Sequence, residues 1–419
     1  MLRKIRIAAA AFFFVLTTLL FLDFTGTLHA WFGWMAKIQF LPALLALNVG
    51  VVAFLVILTL LFGRVYCSVI CPLGVMQDIV SWASGKRRKH RNRFAYSPAL
   101  TWLRRGMLVV FVAAMLAGVG SLLAPYSAYG RIASNLLAPV YAWGNNLLAY
   151  IAGRMDSYAF YSVDVWMKSL STLLVAVVTF AVLFVLAWRS GRTYCNTICP
   201  VGTVLGFLAR YSLFKPRFDT SKCNGCKLCA RNCKASCIDP AAHKIDYSRC
   251  VACMDCLENC RQGAITYTLR RRKPDPAPAP QRPAADAAKT PSDASRRRFL
   301  GLADIVAYSA LRAQEKKVDG GLAVIVDKKI PNRATPVVPP GAQSLRHFNA
   351  HCTGCQLCVS VCPNQVLRPS GKLMTLMQPE MSFERGYCRP ECTKCAEVCP
   401  TGAIRLTDLA GKSSIQIGH

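Results

Sequence analysis

Sixteen cysteines of this chain stand in four tight groups, and thiolates spaced in this way hold metal. Cys223, Cys226, Cys229 and Cys233 follow C-x2-C-x2-C-x3-C, and Cys250, Cys253, Cys256 and Cys260 repeat it. Cys352, Cys355, Cys358 and Cys362 form a third run. Cys388, Cys392, Cys395 and Cys399 form a fourth, with one extra residue in its first gap. In two-cluster ferredoxins three thiolates of a run converge on one iron–sulfur cube and the fourth serves the other cube. That rule groups Cys223, Cys226 and Cys229 with Cys260, and Cys250, Cys253 and Cys256 with Cys233. It likewise groups Cys352, Cys355 and Cys358 with Cys399, and Cys388, Cys392 and Cys395 with Cys362. Zinc motifs pair two cysteines with a distant second pair, so the doubled spacing points to four 4Fe–4S clusters. Cys237, four residues past Cys233, is either a substitute ligand for it or a buried packing residue.

A second sulfur pattern lies upstream. Residues 63–74 read GRVYCSVICPLG and residues 191–202 read GRTYCNTICPVG, matching at eight of twelve positions. Each follows an apolar stretch, which makes this an internal duplication. Cysteines four apart share a helical face. Two such segments meeting about a pseudo-twofold axis would gather Cys67, Cys71, Cys195 and Cys199, enough for a further cluster or a tetrahedral metal ion at the membrane boundary. The plain alternative is buried, inert cysteine.

The elements that must carry these groups follow from hydropathy. Apolar residues make up 53% of the chain, above ordinary globular usage. Four stretches, residues 7–22, 38–62, 107–124 and 170–188, are expected to span a membrane, which takes about 20 apolar residues. Basic residues crowd the N-terminus (Arg3, Lys4 and Arg6), residues 86–105 and the exit of the fourth stretch, while the alternate loops are poor in them. Both ends of the bundle are therefore expected on the cytoplasmic side. Residues 135–153 are expected as a helix on the outer face. The net charge of +30 would suit nucleic acid. Its place beside the apolar stretches and in a linker instead favours membrane lipid as partner and no nucleic acid. Four clusters of about −2 each would also bring the loaded chain to about +22. There is no C-x-x-C-H and no histidine in mid-span to hold haem, no flavin motif, and no nucleotide-binding glycine fingerprint.

The expected order is a four-span domain over residues 1–215 and a di-cluster ferredoxin domain over 216–268. A proline-rich, basic linker follows over 269–298, then a short apolar helix over 299–317 and a second di-cluster domain over 318–419. The fold class is thus an α-helical membrane bundle with two α+β bacterial-type ferredoxin domains. Residues 400–404 fit a ferredoxin return strand. Residues 295–300 read SRRRFL, a twin-arginine export pattern. Two departures from the usual ferredoxin pattern stand at Lys234 and Arg261, where proline ordinarily follows the fourth cysteine. Positive charge there should make the first cluster pair less reducing than the C-terminal pair.

The duplicated G-R-x-Y-C-x3-C-P-x-G segments followed by a two-cluster unit resemble the NapH-type membrane quinol-dehydrogenase ferredoxin subunit. They are also similar to the membrane cores of NosR-like and CcoG-like 4Fe–4S proteins. From residue 295 onward the chain resembles a NapG-type exported ferredoxin, on SRRRFL, on Pro339, Pro340, Gly341 and Ala342, and on the third and fourth cysteine runs. The whole looks like a fusion of the two. This resemblance implies an oxidoreductase subunit in the inner membrane, passing electrons from quinol through clusters to a partner reductase or cytochrome. The first ferredoxin domain would be cytoplasmic and the second exported to the periplasm. The competing reading is a redox maturation or regulatory factor for a metalloenzyme. Catalytic residues are not identified. Asp23, His29 and Asp78 are the nearest groups that could accept a proton from quinol.

Overall fold

Helix α1 (Leu2–Leu22) is apolar along nearly its whole length and rises about 30 Å, close to the thickness of a hydrocarbon core. The computed structural model describes residues 1–23, 25–87, 94–118, 122–157, 159–165, 168–269, 335–372, 375–384 and 386–415. The expected linker, the SRRRFL pattern and the short apolar helix after it lie outside the described residues. After α1 come α2 (Thr27–Phe32), α3 (Trp34–Lys37), α4 (Phe40–Leu45), α5 (Val49–Phe62), α6 (Val65–Val69), α7 (Pro72–Arg87) and α8 (Thr101–Leu116). Then follow α9 (Pro125–Ile132), α10 (Ala138–Arg154), α11 (Leu170–Ser190), α12 (Thr193–Thr197) and α13 (Pro200–Ala209).

Among the described residues, α1 and α11 are long and apolar enough to cross a bilayer. The other two expected spans are interrupted. Within residues 38–62 the helix breaks where Leu47 adopts a φ of 52° and the Asn48 side chain caps α5, because a left-handed residue cannot continue a helix. The stretch 107–124 stops at Leu116, before Gly118 at φ 77°. Helix α9 is buried throughout and continues through a π turn, Ala133–Leu137, into α10, which buries no residue.

The duplication is visible in three dimensions. Each apolar helix (α5, α11) ends at a glycine with positive φ, Gly63 at 75° and Gly191 at 68°, a conformation that L side chains resist. A one-turn helix (α6, α12) then carries the first cysteine, and the second precedes a helix opened by proline (α7, α13), whose missing N–H is harmless there. The halves are interleaved: α7 packs on α11, and α13 packs on α5.

The first ferredoxin module has β1 (Phe214–Phe218) antiparallel to β4 (Ile265–Leu269), in register from Phe214↔Leu269 to Phe218↔Ile265. Between them lie α14 (Leu228–Arg231), the pair β2 (Ile238–Asp239) and β3 (Lys244–Ile245), and α15 (Asp255–Asn259). The second module has β5 (Leu367–Pro369) antiparallel to β6 (Pro379–Met381), with helices Leu345–His351, Leu357–Ser360 and Lys394–Glu397. Residues 400–404 do not form the expected return strand. The tail meets the segment before the third run through one bond, Arg405 N–H to Gly341 O at 3.0 Å, since Pro339 and Pro340 offer no N–H for a ladder.

The cores differ. Phe348, Leu357, Val359, Val366 and Ile404 of the second module belong to one continuous apolar core with Phe21, Tyr126 and Leu183 of the bundle. Burying a side chain such as Phe21 is worth about 1.5–3 kcal/mol. The first module keeps a small core of its own around Ala230, Ile238 and Ile245.

Candidate metal centres

The ferredoxin runs share an unusual backbone. In the first three runs both neighbours of the second cysteine lie at positive φ: Gly225 and Lys227 at 69° and 59°, Ala252 and Met254 at 49° and 62°, Gly354 and Gln356 at 61° and 66°. Non-glycine residues held there cost on the order of 1–3 kcal/mol each and persist only where surroundings over-determine them. The fourth run departs, with Thr393 at φ −113°. Its longer first gap is held from outside instead, by the buried Lys412 ammonium donating to the carbonyls of Arg389 and Cys392.

The structure brings the thiols into the crossed groups. A space of about 400 Å³, partly open to solvent, is lined by Cys223, Cys226, Cys229 and Cys260. Another of about 420 Å³ is lined by Cys233, Cys250, Cys253 and Cys256, together with Cys237. In the second module Cys358 lies within electrostatic reach of Cys355, Cys352 and Cys399, and Cys395 within reach of Cys388, Cys392 and Cys362. Burial first, then the neighbouring thiols, pushes Cys229 up to about 11 and Cys355 and Cys395 up to about 12. Thiols so placed give up protons when a cation compensates them. Four sulfur donors around each space fit an iron–sulfur cube. Among the described residues no three His, Cys, Asp or Glu side chains close in as a single ion requires. A cube with its own bridging sulfides holds its thiolates further apart.

Cys237 sits against this ligand set. Its Sγ is 3.5 Å from that of Cys233, and it also hydrogen-bonds Cys250. The shared proton stays on Cys237, whose pKa is raised, while that of Cys233 is drawn down to about 7 by the same bond.

Cys67, Cys71, Cys195 and Cys199 also come together, each 5% exposed. Cys199 feels Cys195, Cys71 and Cys67, and Cys71 feels Cys67 and Cys195. Burial, then these thiols, pushes Cys71 up to about 12 and raises Cys195 and Cys199. Two arginines cross between the repeats. Arg64 donates to Cys195 O at 3.1 Å and to Cys67 Sγ at 3.8 Å, and Arg192 donates to Cys67 O at 2.6 Å. Both are fully buried. A Cβ on Gly74 would strike Cys67 O and Arg192, and one on Gly202 would strike Cys195 O and Arg64. Gly202 N–H also reaches Cys199 Sγ at 3.4 Å, and Gln77 Oε1 accepts from Cys195 Sγ at 3.6 Å.

The arginines and glycines of this clamp are among the identical positions of the duplicated segments. Their repetition was the available signal, although attention to cysteine alone passes over them. Gln77 and the fully buried Arg131 carry no such signal.

Of the proton-accepting candidates, Asp78 is taken up by cations: Arg6 at 3.0 Å, Arg192 at 2.8 Å and Lys234 at 3.7 Å. Asp23 caps a turn, accepting from the N–H groups of Gly26 and Leu28 at 2.9 and 2.8 Å, and stands 3.1 Å from His29 Nδ1. His29 Nε2 is buried without a partner among the described residues. Lys234 is paired with Asp255 at 3.0 Å as well as with Asp78. Its charge therefore acts on the adjacent cluster less freely than the sequence alone suggests.

Comparison with known proteins agrees with the sulfur chemistry. Residues 44–90 and 172–221, which hold the two halves of the duplicated motif, match a 4Fe-4S binding domain family, and residues 351–412 match a 4Fe-4S dicluster domain family. An uncharacterized protein of Methanocaldococcus jannaschii is 25% identical over 51% of this chain and 68% of its own length. The methylamine utilization ferredoxin-type protein MauN of Paracoccus denitrificans is 28% identical over 41% of this chain and 48% of its own. The ferredoxin-type protein NapH of Escherichia coli is 29% identical over 46% of this chain and 55% of its own. The chain thus spans about half the length of MauN and NapH. No solved structure matches it. The chain carries iron–sulfur domains of the ferredoxin type and is similar to electron-transport proteins.

Proposed function

We propose that this chain is a membrane-bound electron carrier that draws on quinol and serves a partner reductase or cytochrome. Its two ferredoxin modules would lie on opposite faces of the membrane, the second on the periplasmic side. One observation carries this reading: the modules contact opposite ends of α1. Arg3, at its start, pairs with Asp255 of the first module at 2.8 Å, while Lys394 of the second module donates to Thr25 O, just past its end, at 3.2 Å. An apolar helix about 30 Å long between two metal-binding modules suits a bilayer between them.

The crossed cysteine sets would hold four 4Fe–4S clusters, which supply one-electron storage. The rest of the task falls to the chain. The left-handed turns fix where the thiols converge, burial keeps water from the inner sets, and the cations around Asp78 hold the first module against the bundle. Oxidation of one quinol releases two electrons and two protons, so the electrons enter the carriers singly.

The test is direct. Full-length protein in nanodiscs, given menaquinol or ubiquinol analogues under anaerobic conditions, should lose its visible cluster absorption within seconds. Reduction by dithionite without reduction by any quinol would end the quinol reading and favour service to a metalloenzyme under assembly.

A further inference from the structure

Helix α9 of the bundle lies directly against the third cysteine run. A Cβ on Gly130 would collide with the Cys355 carbonyl, so backbone meets backbone at that point. Just past α9, Asn135 Nδ2 donates to Gln356 Oε1 at 2.9 Å. Tyr126 stands four residues before Gly130, on the same helical face, and Arg131 follows it in the chain. Both side chains are fully buried, and the charge of Cys355 reaches each of them. The Tyr126 hydroxyl has no hydrogen-bond partner among the described residues, although buried donors are ordinarily paired. The bundle brings a second cation to the same run. Lys168 Nζ, ahead of α11, donates to the Val359 carbonyl at 3.5 Å and lies within electrostatic reach of Cys362 and Cys358.

We propose that the bundle sets the reduction potential of the second module, with Tyr126, Arg131 and Lys168 raising that of the cluster on Cys352, Cys355, Cys358 and Cys399. The inference rests on the reading that this module carries clusters, and it needs no quinol. A ligated cluster carries about −2 when oxidised and gains one more negative charge on reduction. Fixed positive charge in a poorly screened interior therefore favours the reduced form. A hydroxyl donating to a ligand sulfur or a bridging sulfide acts in the same direction, and the cluster would give the Tyr126 hydroxyl its missing acceptor. The cluster's charge would also offset the desolvation of the buried guanidinium. In the redox step one electron enters the cluster, no bond is made or broken, and Tyr126 keeps its proton. All three groups belong to the bundle, so the module takes up an electron more readily when docked.

The experiment is a dithionite titration with redox mediators of the full chain, purified anaerobically, with the cluster signals followed by electron paramagnetic resonance. Arg131→Met should lower the midpoint of one cluster by about tenfold in its reduction equilibrium, which is about 59 mV for one electron. Arg131→Lys keeps the charge and should restore most of that shift. Tyr126→Phe and Lys168→Met should each lower it by about threefold, with the iron content unchanged. Midpoints that stay put or rise in Tyr126→Phe and Lys168→Met overturn the proposal, as does an Arg131→Lys midpoint as low as that of Arg131→Met. Those two milder variants decide the matter if Arg131→Met loses iron or fails to fold. Dithionite supplies the electrons, so failure of the quinol reading leaves a positive result standing. A second module without iron overturns the proposal and removes its clusters from the functional reading too.

Discussion

The two ferredoxin modules are held to the same bundle by different physics. The first is attached through charge. Arg3 meets Asp255 and Glu258, Lys234 meets Asp78, and Arg64 and Arg104 both donate to the Ser248 carbonyl. Its small apolar core around Ala230, Ile238 and Ile245 is its own, and only a narrow apolar seam, with Val251 in the bundle core and Phe214 stacked on Phe62, joins it to the bundle. The second shares the core of the bundle and adds close backbone approaches, such as Cys355 O over Gly130 and Gln378 Nε2 to Gly118 O at 3.2 Å. Burial tolerates no misfit but ignores salt, whereas paired charges are sensitive to partner loss and, at the surface, to screening. One chain therefore carries one module whose docking answers to electrostatics and one whose docking answers to shape.

The heaviest blow to this contrast is Asp78→Asn. It leaves Arg6, Arg192 and Lys234 without their shared carboxylate, and breaking a buried ion pair costs about 3–5 kcal/mol. We expect a lowered midpoint of thermal unfolding and easier proteolysis of residues 214–269, with residues 335–415 unaffected. Burial alone would raise the pKa of Asp78, but Arg192, Lys234 and Arg6 together hold it well below the usual carboxylate range. A depressed carboxylate contributes its stability in full above the unfolded pKa of about 4 and loses it only as pH falls toward the folded value. Docking of the first module in the wild type should therefore hold from pH 8 to pH 5. Loss of the first module near pH 6 would contradict the ion-pair account.

Next in size is Gly130→Val, which drives a side chain into Cys355 O and the Phe21 ring. Overpacking of this kind costs about 1–3 kcal/mol, and here hydrogen exchange should rise in the second module alone. Equal exchange in both modules would erase the distinction. Arg3→Ala removes a half-exposed pair and should cost no more than about 1 kcal/mol. The loss should shrink further in high salt, while Gly130→Val shows no salt dependence. The smallest effect is expected from Cys237→Ala. It keeps the iron content and lowers the midpoint potential of the cluster set that includes Cys233, because an S–H donor to the ligand sulfurs is gone. A loss of about four irons instead would make Cys237 a ligand.

Much of the site could be read from the chain. Run spacing was enough to group the sixteen thiols, since a cube needs three close ligands from one loop and a fourth from elsewhere. The duplicated cysteines could be paired because both segments keep identical flanks. Less of the bundle was legible. Hydropathy gave apolar stretches, yet it could not register the single left-handed residue at Leu47 or the glycine turn at Gly118 that divide two of them, because those breaks depend on backbone angles rather than on polarity.

The sequence by itself determined the sulfur chemistry, because ligand spacing along the chain limits which cysteines can reach a common centre. It also determined that apolar helices precede that chemistry. Only the tertiary structure decided that the repeats exchange arginines, that Asp78 belongs to cations rather than to a substrate, and that the modules meet opposite ends of α1. Those outcomes depend on contacts between residues more than a hundred positions apart, such as Arg64 with Asn196 and Arg192 with Asp78. Such pairings are fixed by packing, and no local pattern in the chain encodes them.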